Sequence, residues 1–140
     1  MPQSFDAIVI GAGQSGPFLA ARLAEAGWKT ALIERTHLGG TCVNDGCTPT
    51  KTLVASARAA HIARRAADFG VMLGGGVSVD MQAVKARKDK VVGASVKSLN
   101  EWLRNMDNLT VFDGEGSFVS ASEVKVDGEV LAAPRIFINT

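Results

Sequence analysis

Cysteine is scarce in this chain, and long hydrophobic runs are missing from it. Only two of the 140 residues are cysteines, Cys42 and Cys47. The longest apolar runs are far too short to span a bilayer, and no basic start leads into an apolar stretch of the secretory kind. We therefore expect no membrane association and a cytoplasmic location, where thiols are kept reduced.

Neither sign of charge is in excess. The chain has 15 lysines and arginines against 14 aspartates and glutamates, which gives a net charge of +1. The basic residues between Lys85 and Lys97 fall on a predicted helix and are offset by acidic ones, so a solvated helix face is favoured over a nucleic-acid surface. Repeats and low-complexity segments are absent, and the length suits one domain.

A glycine-rich turn follows the first apolar run. Residues 5–10 predict a buried parallel strand, and Gly-Ala-Gly-Gln-Ser-Gly at 11–16 comes directly after it. In a dinucleotide-binding turn, Gly11 permits the sharp bend, Gly13 lets a pyrophosphate approach the backbone, and Gly16 lets the helix pack against the strand. Amides at the start of that helix would hold phosphate oxygens.

An acidic residue ends the next strand. The helix is predicted to run to about Ala26, with Gly27 as its C-terminal cap, and a strand over 30–33 then leads to Glu34. A carboxylate there can accept hydrogen bonds from ribose hydroxyls and repels a 2′-phosphate, so FAD or NAD is favoured over NADP. The alternative is a solvated loop carboxylate.

Both cysteines lie in one segment, residues 39–51, which reads Gly-Gly-Thr-Cys-Val-Asn-Asp-Gly-Cys-Thr-Pro-Thr-Lys. The two thiols can close a small disulfide ring, and Pro49 is suited to open a helix with Cys47 near its start. A helix N-terminus favours thiolate over thiol, so Cys47 is the cysteine we expect to be activated. Next to a nucleotide-binding turn, this segment predicts flavin-linked thiol chemistry.

Two structural roles compete with that interpretation. A purely structural disulfide in so short a ring would contribute only about 2 kcal/mol by loop closure. A zinc site needs roughly four ligands, and beyond the cysteines the chain offers only His37 and His61. We predict no metal site, and we assign neither histidine a role.

Taken together, these motifs resemble the N-terminal part of the FAD-dependent pyridine nucleotide-disulfide oxidoreductases, which include dihydrolipoamide dehydrogenase, glutathione reductase and mercuric reductase. The resemblance spans nearly the whole chain. It is carried by the glycine turn, Glu34, residues 39–51, the Gly-Glu-Gly-Ser-Phe run at 114–118 and the Ile-Phe-Ile-Asn-Thr tail at 136–140.

The resemblance implies roles for single residues. Cys42 would exchange with substrate, Cys47 would lie against the flavin in a charge-transfer complex, and Lys51 would stabilise the reduced, anionic flavin. An exposed first-turn lysine is the alternative for Lys51. Asp45 departs from the uncharged residue common in the family, and we expect it to point to solvent. The implied FAD-binding residues are Gly11, Gly13, Gly16, Glu34, Gly40, Thr41, Gly46, Lys51, Gly116 and Thr140.

The implied fold is an α/β, Rossmann-like FAD-binding domain with a parallel sheet, long helices and a small antiparallel β-meander. Helices are predicted over 50–67 and 80–106, the second capped by Asp80. Short strands are predicted over 110–113, 117–120, 123–126, 130–132 and 135–139, with a hairpin at Asp127-Gly128. Residues 1–140 would be the N-terminal portion of this domain, incomplete at its C-terminal end and without nicotinamide and dimerisation domains.

The implied reaction passes electrons from NAD(P)H through FAD to a Cys42-Cys47 disulfide and on to a small-molecule disulfide or metal-ion substrate, in a homodimeric parent. Residues 59–63 resemble mercuric reductases, and dihydrolipoamide dehydrogenase is the alternative. Two further hypotheses stay open: a fragment that binds nucleotide without catalysis, and an NAD-dependent dehydrogenase in which the cysteines have no role.

Overall fold

A computed structural model describes residues 2–140 of the chain. Helices and strands alternate through the first half, and short strands follow the last long helix. The strands are β1 (Gln3–Ser4), β2 (Ala7–Ile10), β3 (Thr30–Glu34), β4 (Leu109–Asp113), β5 (Ser117–Ser120), β6 (Glu123–Val126), β7 (Glu129–Ala132) and β8 (Ile136–Ile138). The helices are α1 (Gly16–Glu25), α2 (Gly40–Asn44), α3 (Cys47–Arg64) and α4 (Met81–Arg104), with a short 3-10 helix at Ala66–Phe69.

The central sheet is wholly parallel, with the strand order β4-β3-β2-β8. Val9 of β2 pairs with Leu32 on one side and with Phe137 on the other. The chain leaves β2 toward β3, whereas β8 returns on the opposite side of β2. The carboxyl ends of β2 and β8 therefore form a switch point of strand order, which is where open α/β sheets bind ligands.

The second sheet has the order β1-β7-β6-β5, and β5, β6 and β7 form an antiparallel meander. The predicted five-stranded meander is wrong at both ends, because β4 pairs with β3 and β8 pairs with β2 in the parallel sheet. All five segments are short strands, and a strand's periodicity does not reveal its pairing partner. The short strand β1, which was not predicted, pairs with β7.

Alternate residues of the buried strands face two cores. Ile8, Ile10 and Ile33 pack against Val124 and Leu131 of the small sheet. On the other side, Val9 and Leu32 pack among residues of the helical layer, which include Ala20, Ala24 and Leu103. The small sheet, the parallel sheet and the helices thus form three layers, and the period-two alternation of the strands fixes which side chains enter which core.

Helix boundaries lie within three residues of the predicted ones. Asp80 caps α4 by accepting hydrogen bonds from the amides of Gln82 at 2.9 Å and Ala83 at 3.0 Å, which confirms it as the N-cap. The helix ends at Arg104, short of Met106. Helix α3 begins three residues before the predicted start and ends at Arg64, and the short helix α2 was not predicted.

The hairpin predicted between β6 and β7 is present. Asp127 and Gly128 have φ angles of 46° and 88°, so both occupy the left-handed region that a type I′ turn requires. No helix within residues 2–140 has the length and hydropathy needed to cross a membrane.

Candidate functional site

A cleft of about 590 Å³ opens at the carboxyl edge of the parallel sheet. The loops that follow β2, β3, β4 and β8 all contribute to it. Seven of the predicted FAD-binding residues line the cleft: Gly11, Gly13, Glu34, Gly40, Thr41, Gly116 and Thr140. The other predicted site residues, Gly16, Cys42, Gly46, Cys47 and Lys51, are not among its lining residues.

Two glycines allow the turn after β2 to pack tightly. Gly11 has a φ of 98°, and a Cβ added to it would lie 2.1 Å from the carbonyl oxygen of Asn139. A Cβ on Gly16 would lie 2.0 Å from the carbonyl oxygen of Gly11. The predicted sharp bend and close helix packing are therefore present, and they bring the ends of β2 and β8 together beside α1.

Gly13 differs from its two partners, because no atom lies within 4 Å of the position that its Cβ would take. Gly40 lies close to Gly13, because a Cβ added to Gly40 would be 3.0 Å from the Cα of Gly13. The N-terminus of α1 has no side-chain cap hydrogen bond and no acidic residue in its first turn. Uncapped amides beside open space suit a phosphate group.

The Glu34 carboxylate is fixed at the end of β3. It accepts hydrogen bonds from the Ala12 amide at 2.8 Å, and from the amide and hydroxyl of Thr36 at 2.9 and 3.0 Å. Partial burial raises the pKa of this carboxyl, but the hydrogen bonds from Thr36, Ala12 and Arg35 outweigh burial and leave the pKa below its ordinary value. Glu34 is therefore an anion at neutral pH, and its oxygens retain lone pairs for ribose hydroxyls.

The redox segment, which is the stretch of residues 39–51 that holds both cysteines, includes Thr41, and Thr41 lines the cleft. Cys42 of α2 and Cys47 of α3 form a disulfide, with their Cα atoms 4.6 Å apart. The carbonyl oxygen of Thr41 accepts hydrogen bonds from the amides of Asp45 at 2.9 Å and Gly46 at 2.5 Å. A Cβ on Gly46 would lie only 3.0 Å from that oxygen, so this tight loop favours glycine.

Cys47 is the first residue of α3 and is exposed, whereas Cys42 is half-buried. Lys51 is exposed one turn further along α3, on the same face as Cys47. Asp45 is exposed as expected, and it also borders the cleft. Within residues 2–140, no group of three or more histidine, cysteine or acidic side chains is placed to hold a metal ion.

Several cleft residues were not identified from the sequence. His37, to which no role was assigned, lies on the cleft wall, as do Thr36, Asn44 and Asn139. The Asn44 amide donates to the carbonyl oxygens of Leu38 at 3.1 Å and Gly40 at 2.9 Å, and so supports the loop that carries Thr41. A hydroxyl residue two positions after a strand-end carboxylate was a usable signal for Thr36. Asn44 and Asn139 lie in segments that carry the family resemblance, but no pattern marked either of them, or His37, individually.

Comparison with known proteins identifies the family. The profile described as "Pyridine nucleotide-disulphide oxidoreductase" matches residues 5–140. The chain belongs to this family. It is 45% identical to a dihydrolipoyl dehydrogenase of Chlamydia muridarum, over 100% of this chain and 30% of that protein. It is 35% identical to a mercuric reductase of Lysinibacillus sphaericus, over 98% of this chain and 25% of that protein.

A solved structure gives the same result. The HOCl-induced flavoprotein disulfide reductase RclA from Escherichia coli superposes with a TM-score of 0.79 at 36% identity, over 96% of this chain and 28% of that chain. The Rossmann-like fold and the oxidoreductase family predicted from the sequence are confirmed. The chain spans about 30% of the length of the dihydrolipoyl dehydrogenase that it matches.

The family is FAD-dependent, and the residues of the cleft fit that cofactor. Open space at Gly13, the uncapped start of α1 and the ionised Glu34 suit a diphosphate joined to a ribose with free hydroxyls.

Proposed function

We propose that this chain is the FAD-binding part of a flavoprotein that passes electrons from NAD(P)H to a substrate through the Cys42–Cys47 disulfide. The observation that carries the proposal is the continuity between the cleft and the disulfide. Thr41 lines the cleft, its neighbour Cys42 forms the disulfide, and Cys47 begins the adjoining helix. A purely structural crosslink has no need for this position beside a nucleotide cleft.

Six of the seven predicted residues that line the cleft are the proposed contacts of FAD. Glu34 would accept hydrogen bonds from the ribose, and Gly13 with the first amides of α1 would hold the diphosphate. Gly40 of the redox segment approaches Gly13, and Thr41 lines the cleft beside it. Gly116 and Thr140 line the cleft next to β5 and β8. Gly11 and Gly16 act indirectly, because their missing side chains let the surrounding backbone pack.

Bound FAD would supply two-electron transfer between NAD(P)H and the disulfide. The proposed roles of the chain's own residues follow the family resemblance. Cys47, exposed at the start of α3, would face the flavin, and Cys42 would exchange with substrate. Lys51 lies on the same helix face as Cys47, one turn away, and its charge would favour the reduced cofactor.

For the substrate we propose a dithiol-disulfide pair of the dihydrolipoamide type. Most of the similar curated relatives are dihydrolipoyl dehydrogenases, including the one at 45% identity. Reduction of mercuric ion is the second candidate. It was favoured by residues 59–63, and it is supported by the mercuric reductase at 35% identity. We further propose that the parent polypeptide is a cytoplasmic homodimer, in keeping with the family's dimerisation domain.

The first test is retention of the cofactor. The chain is mixed with FAD, unbound cofactor is removed by gel filtration, and the visible flavin absorbance that stays with the protein and is released on denaturation is measured. We expect retention by the wild type and a loss of roughly tenfold or more in affinity for Glu34→Lys, since that change removes the ribose acceptor. Glu25→Lys, which changes an exposed residue of α1, is the matched control.

A folded wild-type chain that retains no more flavin than Glu34→Lys would contradict a role for this cleft in FAD binding. For the substrate, NAD(P)H oxidation by the parent polypeptide is compared with lipoamide and with mercuric ion as acceptors. Turnover with lipoamide alone supports the first candidate, and stimulation by mercuric ion supports the second. Unchanged activity with both cysteines replaced by serine would refute the role of the disulfide.

A further inference from the structure

Arg87 connects the two longest helices. Its guanidinium, on α4, donates a hydrogen bond from Nη1 to the carbonyl oxygen of Thr52 at 2.9 Å, and the same nitrogen lies 3.4 Å from the hydroxyl of Ser56. Both acceptors belong to α3, the helix that begins with Cys47. Across the part of the chain that the structure describes, these are the side-chain hydrogen bonds that join α3 to α4.

Most residues of helix α3 are exposed to solvent. Of its 18 residues, only Pro49 and Thr52 are buried. Large apolar side chains further along the helix are exposed, with Val54 at 59% and Ile62 at 51% of their full accessibility. The fully buried residues of α3 therefore lie in its first two turns, and Arg87 binds the helix at that same level.

Besides the backbone, the disulfide is a second covalent tie between α2 and α3. Reduction breaks the S–S bond and removes this tie, so the position of Cys47 then depends on the backbone hydrogen bonds to Thr41 and on whatever holds α3 in place. A thiol re-forms its disulfide more readily when its partner stays close, because less chain entropy is lost on closure.

We propose that Arg87 is a positioning residue for the redox pair, which holds the first turns of α3 so that Cys47 stays beside Cys42 after reduction. The inference rests on the proposed function only in that the pair alternates between disulfide and dithiol. Arg87 contacts neither cysteine. Its effect passes through the carbonyl of Thr52 and the rigid backbone of α3.

Loss of Arg87 should affect the dithiol form of the pair more than the disulfide form, and this difference sets the direction in which the redox equilibrium shifts. In the oxidised chain the S–S bond itself limits the separation of the two cysteines, so loss of Arg87 changes little. In the reduced chain the same loss also gives α3 more freedom, and this gain in entropy lowers the free energy of the dithiol relative to that of the disulfide. Removal of Arg87 should therefore favour reduction and make the potential of the pair less negative.

The test is equilibration of the whole chain with reduced and oxidised dithiothreitol. In this exchange the Cys42–Cys47 bond breaks, one intramolecular disulfide forms in the reagent, and two hydrogens pass from its thiols to the two cysteines. Acid quenching and alkylation then trap the free thiols, and mass spectrometry counts them. For Arg87→Met we expect the equilibrium constant for reduction to rise about threefold to tenfold, which is a shift of up to about 30 mV.

Two variants accompany it. Arg87→Lys keeps a charge and a donor, so it should lie between the wild type and Arg87→Met. Lys90→Met removes a charge from an exposed residue of the same helix and should match the wild type. Circular dichroism verifies that each variant is folded. If Arg87→Met fails to fold, Arg87→Lys decides: a rise supports the proposal, and a value equal to that of Lys90→Met overturns it.

A folded Arg87→Met chain with the equilibrium constant of Lys90→Met overturns the positioning role directly. The trapping experiment contains no flavin and no NAD(P)H, so its failure leaves the proposed FAD site untouched. Conversely, the equilibrium between the disulfide and the dithiol can still be measured in a chain that retains no flavin.

Discussion

The carboxylate of Glu34 accepts a hydrogen bond from the backbone amide of Ala12 at 2.8 Å. This contact ties the end of β3 to the glycine turn after β2, so the acidic residue and the phosphate-binding turn form one unit. The same carboxylate accepts from Thr36, which fixes its second oxygen. The side chain proposed to bind ribose is thus already oriented by the fold.

Glu34 should make the stability of the chain depend on pH. Its pKa in the folded chain lies below the ordinary value of 4.5, so its contribution is present above that value and is lost as the pH falls through the folded pKa. We expect Glu34→Gln to destabilise the chain by about 1 kcal/mol at pH 7. Urea unfolding at pH 7 and pH 3 measures the difference, which should shrink at the lower pH. Glu25→Gln is the control, and an undiminished difference at pH 3 would contradict the assignment.

Gly11 and Gly13 should respond in opposite ways to the same substitution. Gly11→Ala places a methyl group against the Asn139 carbonyl at a φ of 98°, and we expect a loss of about 3 kcal/mol or more. Gly13→Ala meets no atom within 4 Å, so its stability should stay within about 0.5 kcal/mol of the wild type.

For Gly13→Ala we expect the loss in FAD retention instead, because its methyl group would occupy space proposed for the diphosphate. Thermal unfolding and flavin retention are measured on both variants. Equal destabilisation by the two substitutions would contradict the difference in packing between Gly11 and Gly13.

The disulfide should contribute little stability. Loop closure between Cys42 and Cys47 is worth about 2 kcal/mol, near the low end for crosslinks. The double variant Cys42→Ser, Cys47→Ser should therefore unfold at a lower urea concentration than the oxidised wild type, and at nearly the same concentration as the reduced wild type. A loss well above 4 kcal/mol would indicate a mainly structural disulfide.

The cap of α4 offers a local test of helix stability. Asp80→Ala removes the acceptor for the amides of Gln82 and Ala83, and we expect a loss of about 1 kcal/mol. Asp80→Asn retains an acceptor oxygen, so it should keep most of the stability that Asp80→Ala loses. Asp107→Ala, which changes an exposed aspartate beyond the helix, controls for the charge. Equal stability of all three variants in chemical denaturation would remove the capping role.

Features that depend on local conformation were predictable. The Gly11 turn and the Asp127-Gly128 hairpin both need backbone angles that few residues tolerate, so their residue types reveal them. The burial of β2 and β3 followed from continuous apolar runs. Seven of the ten predicted cofactor-binding residues line one cleft, because the motifs follow strands that share one sheet edge.

Features that depend on distant pairing were not predictable in the same way. Strands β4 and β8 were assigned to the meander, although they pair with β3 and β2. Nothing local distinguishes a short strand that joins one sheet from a short strand that joins another. The cleft positions of His37 and Asn139 also escaped prediction, since they depend on which loops meet at the sheet edge.

The amino-acid sequence by itself determined the family of this protein, its nucleotide-binding turn and its pair of redox cysteines, because glycine, cysteine and proline leave few conformations open at fixed spacing. Only the tertiary structure decided that Asn139 meets Gly11, that the Glu34 carboxylate accepts from the Ala12 amide, and that Arg87 donates to Thr52 on the helix of Cys47. Those contacts join residues far apart in the chain, and their partners are selected by the packing of whole layers.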